Sequence, residues 1–526
     1  MSTIVSSTPS APPTPPTRPS RALRLVERAG NMLPHPFWLF GVLAVVLALA
    51  SWLLASLGTT TTLPDGSVKA VRSLVSADGV QLIFGGVIDN FIAFPPLGTA
   101  LVALLGVGLA EQAGLLRVGL RAAVSRVSPR WITFLLAFIG SAAHIAGDAG
   151  YIVLIPLGGL IFKSVGRSPI LGIVVALVAL SGGSAASPLL IPNDVIFAGL
   201  ATAAAQTVDP QYVVTPTANI YFTLASSLLL SIVITLVVEF YLRRRMDLSV
   251  DADNKSKSRD SVKAGESDDS VSLTITDAER RGLRNAGLAS AGYLFALVLA
   301  VLPHGSPLRG KGGALLDSTL LSSIAPLLAL FLAVAGLAYG VTAGTIRNSA
   351  DVPRLIGEGL KDMTPVIVLF FAVSQFLAYF KWTGIGELIA VNGAQALRDL
   401  NAPTPLIFMA LLLLVSAMNF FITSGSAQLS LVGPIFIPML MMLNIPPETT
   451  LALYRIADSC TNILTPVSPY FVLALGLIQN YRRSAGIGTL FSMTLPLSVA
   501  MFLAWSGLFF AWWALGVPLG PGAAVR

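Results

Sequence analysis

The sequence predicts an all-α integral membrane protein. The expected plan is about nine transmembrane helices plus two re-entrant hairpins, arranged as inverted-topology repeats. Three observations carry this. The 526 residues are 54% hydrophobic and only 11% charged, with a mean hydropathy of +0.79, whereas soluble domains are about 25% charged. Apolar stretches of the roughly 20 residues needed to span a bilayer recur along the chain. Two blocks, Pro129 to Ala205 and Pro405 to Leu477, also share one order of apolar arms and polar breaks. An offset of 278 positions lays Pro156 on Pro434, Pro169 on Pro447, Ser181 on Ser459 and Pro188 on Pro466. Only six of the 45 positions aligned from Asp148 are identical, so the order of breaks and prolines carries the weight.

In chain order, residues 1–30 are expected to form a disordered cytoplasmic tail, whose first 20 residues are rich in Pro, Ser and Thr and have no apolar signal-peptide core. Scaffold helices follow over 31–116, with full spans at 37–57 and 93–112. The first repeat occupies 117–208: a hairpin over 131–164, whose arms are too short for a comfortable crossing, then a broken crossing over 168–208. Spans at 216–242, 285–303, 318–344 and 362–380 fill a second scaffold region, 209–400. Within it, 246–275 is rich in Ser, Asp and Lys and reads as a flexible cytoplasmic linker. The second repeat, 401–481, has a hairpin over 404–444 and a broken crossing over 448–481. A final span at 488–514 lies in the C-terminal segment 482–526. Irregular backbone at membrane depth is tolerated only inside protein or beside water.

Cations set the orientation. Arg21, Arg24 and Arg28 precede the first span. Arg117, Arg121, Arg126 and Arg130 precede the first hairpin, and Lys163 and Arg167 close it. Arg243, Arg244 and Arg245 follow the fourth crossing, and Arg482 and Arg483 the eighth. All fall on one side, which is therefore cytoplasmic, with the N-terminus. The net charge of +7 fits such loops and gives no basic face for nucleic acid. The single Cys460 excludes an internal disulfide and any cysteine metal cluster. "GSPLRGKGG" from Gly305 has Gly312 where a P-loop needs Ser or Thr, and it follows a span rather than a strand. Gly336, Gly340 and Gly344 make a helix-packing stripe. No HExxH or GxSxG motif is present, so the chain does not read as an enzyme.

Four polar interruptions carry the candidate chemistry. "GSAAHIAGDAGY" (Gly140 to Tyr151) turns the first hairpin. It sets Asp148 at membrane depth, as a functional carboxylate or as a helix cap, and His144 beside it as a packed polar group or a proton carrier. "SGGSAASPLLIPND" (Ser181 to Asp194) cannot continue a helix well. Its freed carbonyls, with Ser181 and Ser184, offer oxygens to a hard cation such as Na⁺, and Asp194 heads the next half-helix, as a functional carboxylate or as its N-cap. "NFFITSGSAQLS" (Asn419 to Ser430) turns the second hairpin. Asn419, Thr423, Ser424, Ser426 and Gln428 there suit substrate hydrogen bonds, Na⁺ coordination or interhelical contacts. "YRIADSCTNILTPVSPY" (Tyr454 to Tyr470) places Arg455 and Asp458 three apart on one helix face, as a mutually neutralising pair or as an anion-binding Arg beside a titrating or Na⁺-holding Asp. Ser459, Thr461, Asn462 and Thr465 add oxygens.

At these residues the chain resembles the aminobenzoyl-glutamate transporter (AbgT) family. The similar segments are "ERAGNMLPHPFWLF" (Glu27 to Phe40), "PLGTALVALLGVGLAEQAGL" (Pro96 to Leu115), "GDAGYIVLIPLGGLIF" (Gly147 to Phe162), Ser181 with Asp194 thirteen residues on, "LTITDAERRGLRNAGL" (Leu273 to Leu288) and "ALYRIADSCTNILTPVSPYF" (Ala452 to Phe471). The resemblance implies a homodimer of nine-helix, two-hairpin protomers in a bacterial inner membrane. Each protomer would have an inner scaffold and an outer transport domain that moves as an elevator. It implies Na⁺- or proton-coupled transport of small aromatic carboxylates such as p-aminobenzoyl-glutamate, or export of sulfonamide-type antimetabolites. By position it places the family's functional residues on Asp194, Asn419, Pro447, Arg455 and Asp458. Independently of the resemblance, the oxygens of Asn419 and Asp458, aided by backbone carbonyls, are expected to bind Na⁺, because hard cations take oxygen ligands and unwound segments expose them. The family's usual Ser-Ala-Lys-Trp at the second hairpin tip reads Ser426, Ala427, Gln428 and Leu429 here, and Ser187 stands where the family often has Asn. A cation and an aromatic platform are thus absent from the tip.

Overall fold

The computed structural model describes residues 36–62, 68–125, 128–245, 274–315, 318–361, 363–466 and 468–526. The predicted tail, nearly all of the predicted linker 246–275, and Arg21, Arg24, Arg28 and Arg126 lie outside the described residues.

Helix α1 (Pro36–Ser56) leads to a two-stranded antiparallel sheet, β1 (Thr60–Thr62) and β2 (Val68–Ala70). Sequence reading overlooked this sheet, although the run of threonines at 59–62 is β-branched and strand-forming. Short helices α2 (Ala77–Gly85) and α3 (Val87–Ile92) precede α4 (Pro95–Gln112) and α5 (Leu115–Ser125). The last two are bent by 64° about Ala113–Gly114, where Gly114 takes φ +93°. Next come α6 (Ile132–Ala142), a 3₁₀ turn (Ala143–Ala146), α7 (Gly147–Ser164), α8 (Pro169–Ser181) and α9 (Pro192–Ala205). Helix α10 (Ile220–Leu236) runs on as a π-helical turn to Leu242.

The second half comprises α11 (Asp277–Val301), α12 (Ile324–Ala343), α13 (Asp351–Lys361), α14 (Thr364–Thr383), α15 (Ile385–Asp399), α16 (Thr404–Asn419), α17 (Gly425–Met441), α18 (Pro447–Asn462), α19 (Pro469–Gln479) and α20 (Ile487–Leu515). Among the described residues, seven helical runs are long and apolar enough to cross a membrane, and an eighth if α4 and α5 count as one bent span. Six of the seven are predicted full spans. The seventh, Ile132–Ser164, is the predicted first hairpin.

The contacts fold that run back on itself. Gly147 sits at φ +52°, ψ −134°, which glycine alone adopts readily. Beyond it α7 runs antiparallel to α8: Gly150 meets Leu180, and Gly158 meets Gly172. Helix α6 runs parallel to α8 instead. Its Thr133 Oγ1 accepts from Arg167 Nη1 just before α8 begins, at 3.0 Å, and Gly140 meets Ala179 near the α8 end. The second pair behaves alike. Gln428 Nε2, near the start of α17, donates to Val415 O, near the end of α16, at 2.9 Å.

The repeat survives into the helices. Gly147 and Gly425 begin equivalent arms 278 positions apart, Pro169 and Pro447 begin helices with the same spacing, and Pro192 and Pro469 differ by 277. Proline fits these first positions because its missing N–H would be unpaired there anyway. Every residue of α8 is buried, so it is the hydrophobic spine of the first repeat.

Glycine makes that burial possible. A Cβ on Gly172 would lie 2.0 Å from Gly158 O, and one on Gly158 would lie 2.5 Å from Gly172 O. The two backbones touch, as small residues permit at membrane helix crossings. Gly172→Ala should therefore destabilise the purified protein by about 1–3 kcal/mol through overpacking. Gly287→Ala, on α11 with nothing within 4 Å of the new methyl, should be neutral. Thermal unfolding of both variants checks this; equal midpoints would mean that the crossing is not tight.

Candidate functional site

The site forms where the two broken helices lose their helical backbone. Between α8 and α9 the chain is non-helical over 182–191, and between α18 and α19 it is non-helical over 463–466 and at 468. The first break lies directly against α18. Ser459 Oγ is 3.0 Å from Ser184 Oγ and accepts from Ala185 N at 3.2 Å. Backbone freed by a break must be satisfied by such neighbours.

Proline at 192 starts α9 and puts Asp194 in its first turn, where the helix dipole favours a carboxylate. Asp194 Oδ2 accepts from the Ile191 N–H at 2.9 Å, while its Oδ1 is 2.7 Å from Arg455 Nη1 on α18. Capping and charge pairing therefore coexist in one side chain. Only 2% of the Arg455 side chain and 9% of that of Asp194 are solvent-accessible. The guanidinium also lies 5.4 Å from the Phe197 ring centroid. Its Nε is buried with no hydrogen-bond partner among the described residues.

This corrects one expectation. Three-residue spacing suggested an Arg455–Asp458 pair, but the ion pair of Arg455 is with Asp194. A long side chain can reach across to α9, whose capped carboxylate is already fixed. Asp458 instead faces the second hairpin. A Cβ on Gly425 would lie 3.2 Å from its Oδ2, and its Oδ1 is buried without a hydrogen-bond partner among the described residues. Gly425 is held there by Tyr454, whose hydroxyl donates to Gly425 O at 2.6 Å and lies 3.3 Å from Gln428 Oε1.

Asn419, at the end of α16, donates from Nδ2 to Asp458 O at 2.5 Å and to Thr461 Oγ1 at 2.9 Å. Its Oδ1 is buried and unpartnered among the described residues. Thr461 donates onward to Ala457 O at 2.8 Å, and Thr465 Oγ1 reaches Thr461 O at 3.3 Å and Asn419 O at 3.5 Å. Asn462 is half-buried beside them.

Other predicted residues are placed differently. Ser424 is an exposed N-cap of α17, accepting from Ala427 N at 3.4 Å, and Ser426 Oγ is 3.3 Å away. Gln428 and Leu429 are buried inside the hairpin packing, at 0% and 2% exposure, rather than open at its tip. Gln428 spends its amide on Val415, so it serves the hairpin backbone. Pro447 opens α18 eleven residues before Asp458, roughly 16 Å along the helix axis at 1.5 Å per residue, and so lies apart from the cluster. At the first tip, the His144 ring hydrogen-bonds Leu180 O and packs edge-on against Tyr151. Asp148 is exposed, with the Tyr470 hydroxyl as its neighbour, and buried Ser181 bonds Tyr151.

Sequence reasoning missed the aromatics. Phe197 packs edge-on against Tyr454 at 5.7 Å, and Tyr151 stacks on Tyr470 at 3.6 Å. The signal was available for Phe197, which lies three residues after Asp194 and so on the same helix face.

Helices of membrane-spanning length around a buried charge pair, with two chain reversals meeting two helix breaks, define an integral membrane protein with a polar interior site. Comparison with known proteins makes the class specific. A family model described as the "AbgT putative transporter family" matches residues 21–526. The chain belongs to the AbgT family of transporters. The p-aminobenzoyl-glutamate transport protein of Escherichia coli (strain K12) is 37% identical over 503 residues, covering 95% of this chain and 96% of that protein. Among solved structures, the Alcanivorax borkumensis YdaH transporter is 38% identical, with a TM-score of 0.86 over 93% of this chain and all of its own. Neisseria gonorrhoeae MtrF, from a class of antimetabolite efflux pumps, is 36% identical, with a TM-score of 0.88 over 96% of this chain and all of its own.

Breaking one side of a buried ion pair typically costs about 3–5 kcal/mol because the other charge is left alone. Asp194→Asn and Arg455→Gln should each lower the unfolding midpoint strongly, and the double variant should cost clearly less than the sum. A thermal-unfolding double-mutant cycle reads this coupling; additive effects would mean that the two groups do not depend on each other.

Proposed function

We propose that this protein is an ion-coupled secondary transporter of small aromatic carboxylates such as p-aminobenzoyl-glutamate. The carrying observation is the buried, unpartnered Arg455 Nε beside a guanidinium nitrogen already engaged by Asp194. An anionic substrate group would take that N–H, and a planar guanidinium grips a carboxylate in a way that a lysine cannot. The p-aminobenzoyl-glutamate transport protein of Escherichia coli supports the substrate class.

Na⁺ is the favoured coupling ion. Asn419 Oδ1 and Asp458 Oδ1 are two buried oxygen acceptors without hydrogen-bond partners among the described residues, and hard cations take oxygen ligands. A proton carried by Asp458 is the alternative. In this reading the protein crosses a bacterial inner membrane nine times with its N-terminus inside. The two hairpins, α6–α7 and α16–α17, re-enter from opposite faces, and with α8–α9 and α18–α19 they form the moving part of an elevator. The remaining helices form a scaffold that pairs in a homodimer.

A second reading has the same site serving proton-driven export of sulfonamide-type antimetabolites. The likeness to MtrF favours it. Direction would then be set by the imposed gradient rather than by a different pocket.

Radiolabelled flux in proteoliposomes, with Na⁺ and proton gradients imposed separately, tests the proposal. Wild-type protein should accumulate p-aminobenzoyl-glutamate under an inward Na⁺ gradient. Asp458→Asn should lose at least about tenfold of that uptake, the scale of one lost charged ligand. Unchanged uptake and unchanged Na⁺ dependence in Asp458→Asn would remove the residue from coupling. Drive by the proton gradient alone would replace Na⁺ with H⁺.

A further inference from the structure

A second site lies away from the charge pair, on the side of the protein where α1, α14, α15 and α17 meet. A cavity of about 240 Å³ sits between them. Its lining residues are all apolar and include Leu47, Phe380, Ile385, Leu431 and Pro434. No polar group is offered, so neither the substrate nor an ion fits. Two of its lining residues, Val46 and Ile389, are 53% and 37% exposed. The cavity therefore opens onto the outer face of α1, where Val42, Val45, Leu49, Trp52 and Leu53 are also exposed. Such a face on a membrane-spanning helix meets acyl chains.

One end of the cavity is chemically different. Phe380 and Ile385 flank the turn between α14 and α15, and Arg72 is bound to that turn. Its backbone N–H donates to Thr383 O at 3.0 Å, its Nε donates to Trp382 O at 2.9 Å, and its guanidinium lies 4.3 Å from the Trp382 ring centroid. Arg72 is exposed and has no carboxylate partner among the described residues. Exposed Lys381 precedes Trp382. The neighbouring Lys69, by contrast, is neutralised by Glu387 at 2.5 Å. Tryptophan and basic residues together mark the headgroup level of a bilayer.

We propose that this seam is a binding site for one anionic phospholipid. Its acyl chain fills the cavity between α1 and the α17 arm of the second hairpin, and its phosphate is held by Arg72 over Trp382. The two halves of the site match the two halves of the molecule: an apolar slot open to the bilayer, and at its end an exposed cation with no carboxylate partner among the described residues. The lipid would touch α1 and α14 on one side and the hairpin arm at Leu431 and Pro434 on the other.

Native mass spectrometry of the full-length protein tests this, with equal amounts of phosphatidylglycerol and phosphatidylcholine added in detergent. Wild type should retain phosphatidylglycerol preferentially. Arg72→Gln should cut that preference about fivefold, the scale of one basic residue at a lipid surface. Val46→Trp should block the slot and lower retention of both lipids to background, with an unchanged unfolding midpoint. Ala50→Phe, filling the same slot from α1, is the second variant should Val46→Trp fail to fold. Excess glycerol phosphate should leave the adduct in place. Retention untouched by the filling variants, preference untouched by Arg72→Gln, or displacement by glycerol phosphate would each overturn the proposal.

Discussion

A guanidinium and a carboxylate almost sealed from solvent persist only together, and the interior of this protein is arranged around one such pair. Arg455 and Asp194 are 2.7 Å apart. Neither charge could remain buried alone without a large desolvation cost. Asp194 is fixed first, by its place in the opening turn of α9 and by the Ile191 N–H. Arg455 then ties α18 to α9, and so joins the two repeats at their breaks. Phe197 lies beneath the guanidinium and against Tyr454, and Tyr454 holds Gly425 beside Asp458. One ion pair thus sets the second hairpin against the centre of the molecule.

Close backbone packing supplies the rigidity around that centre. The Gly158–Gly172 contact lets α7 and α8 touch, and Gly140 does the same for α6 against Ala179. Serine and asparagine side chains meet the backbone groups that the breaks release. A few acceptors and one donor remain unmatched beside these satisfied groups. Asn419 Oδ1, Asp458 Oδ1 and Arg455 Nε are buried without partners among the described residues. Other buried polar atoms without partners, such as Asn219 Oδ1, Ser416 Oγ and Thr450 Oγ1, are scattered, whereas these three lie together where α18 meets α9 and the second chain reversal.

Much of the fold was legible in the sequence because membrane helices announce themselves by length and hydropathy. The bounds of the spans at 37–57 and 488–514 differ from α1 and α20 by one residue at each end. The chain reversals and breaks were legible because proline and polar residues interrupt apolar runs at equivalent places in both blocks. The Arg455–Asp194 pair was not legible. Spacing along one helix suggested Asp458, and only tertiary packing brings Asp194, more than 250 residues away, within reach. The burial of Gln428 and Leu429 was hidden for the same reason: a tip motif says where the chain turns, not which side chains point inward. The strands at 60–62 and 68–70 are too short and too polar to stand out beside membrane helices.

Direct binding measures most closely whether the unpaired edge of Arg455 is a substrate anchor. Titration calorimetry of p-aminobenzoyl-glutamate into purified Arg455→Lys protein, alongside the wild type, retains the positive charge and its partner Asp194 while removing the planar donor edge. Affinity should fall about tenfold or more, the size of one lost charge-assisted hydrogen bond, with the unfolding midpoint largely kept. Wild-type affinity in a properly folded Arg455→Lys protein would contradict the account and leave Arg455 a structural partner of Asp194 alone.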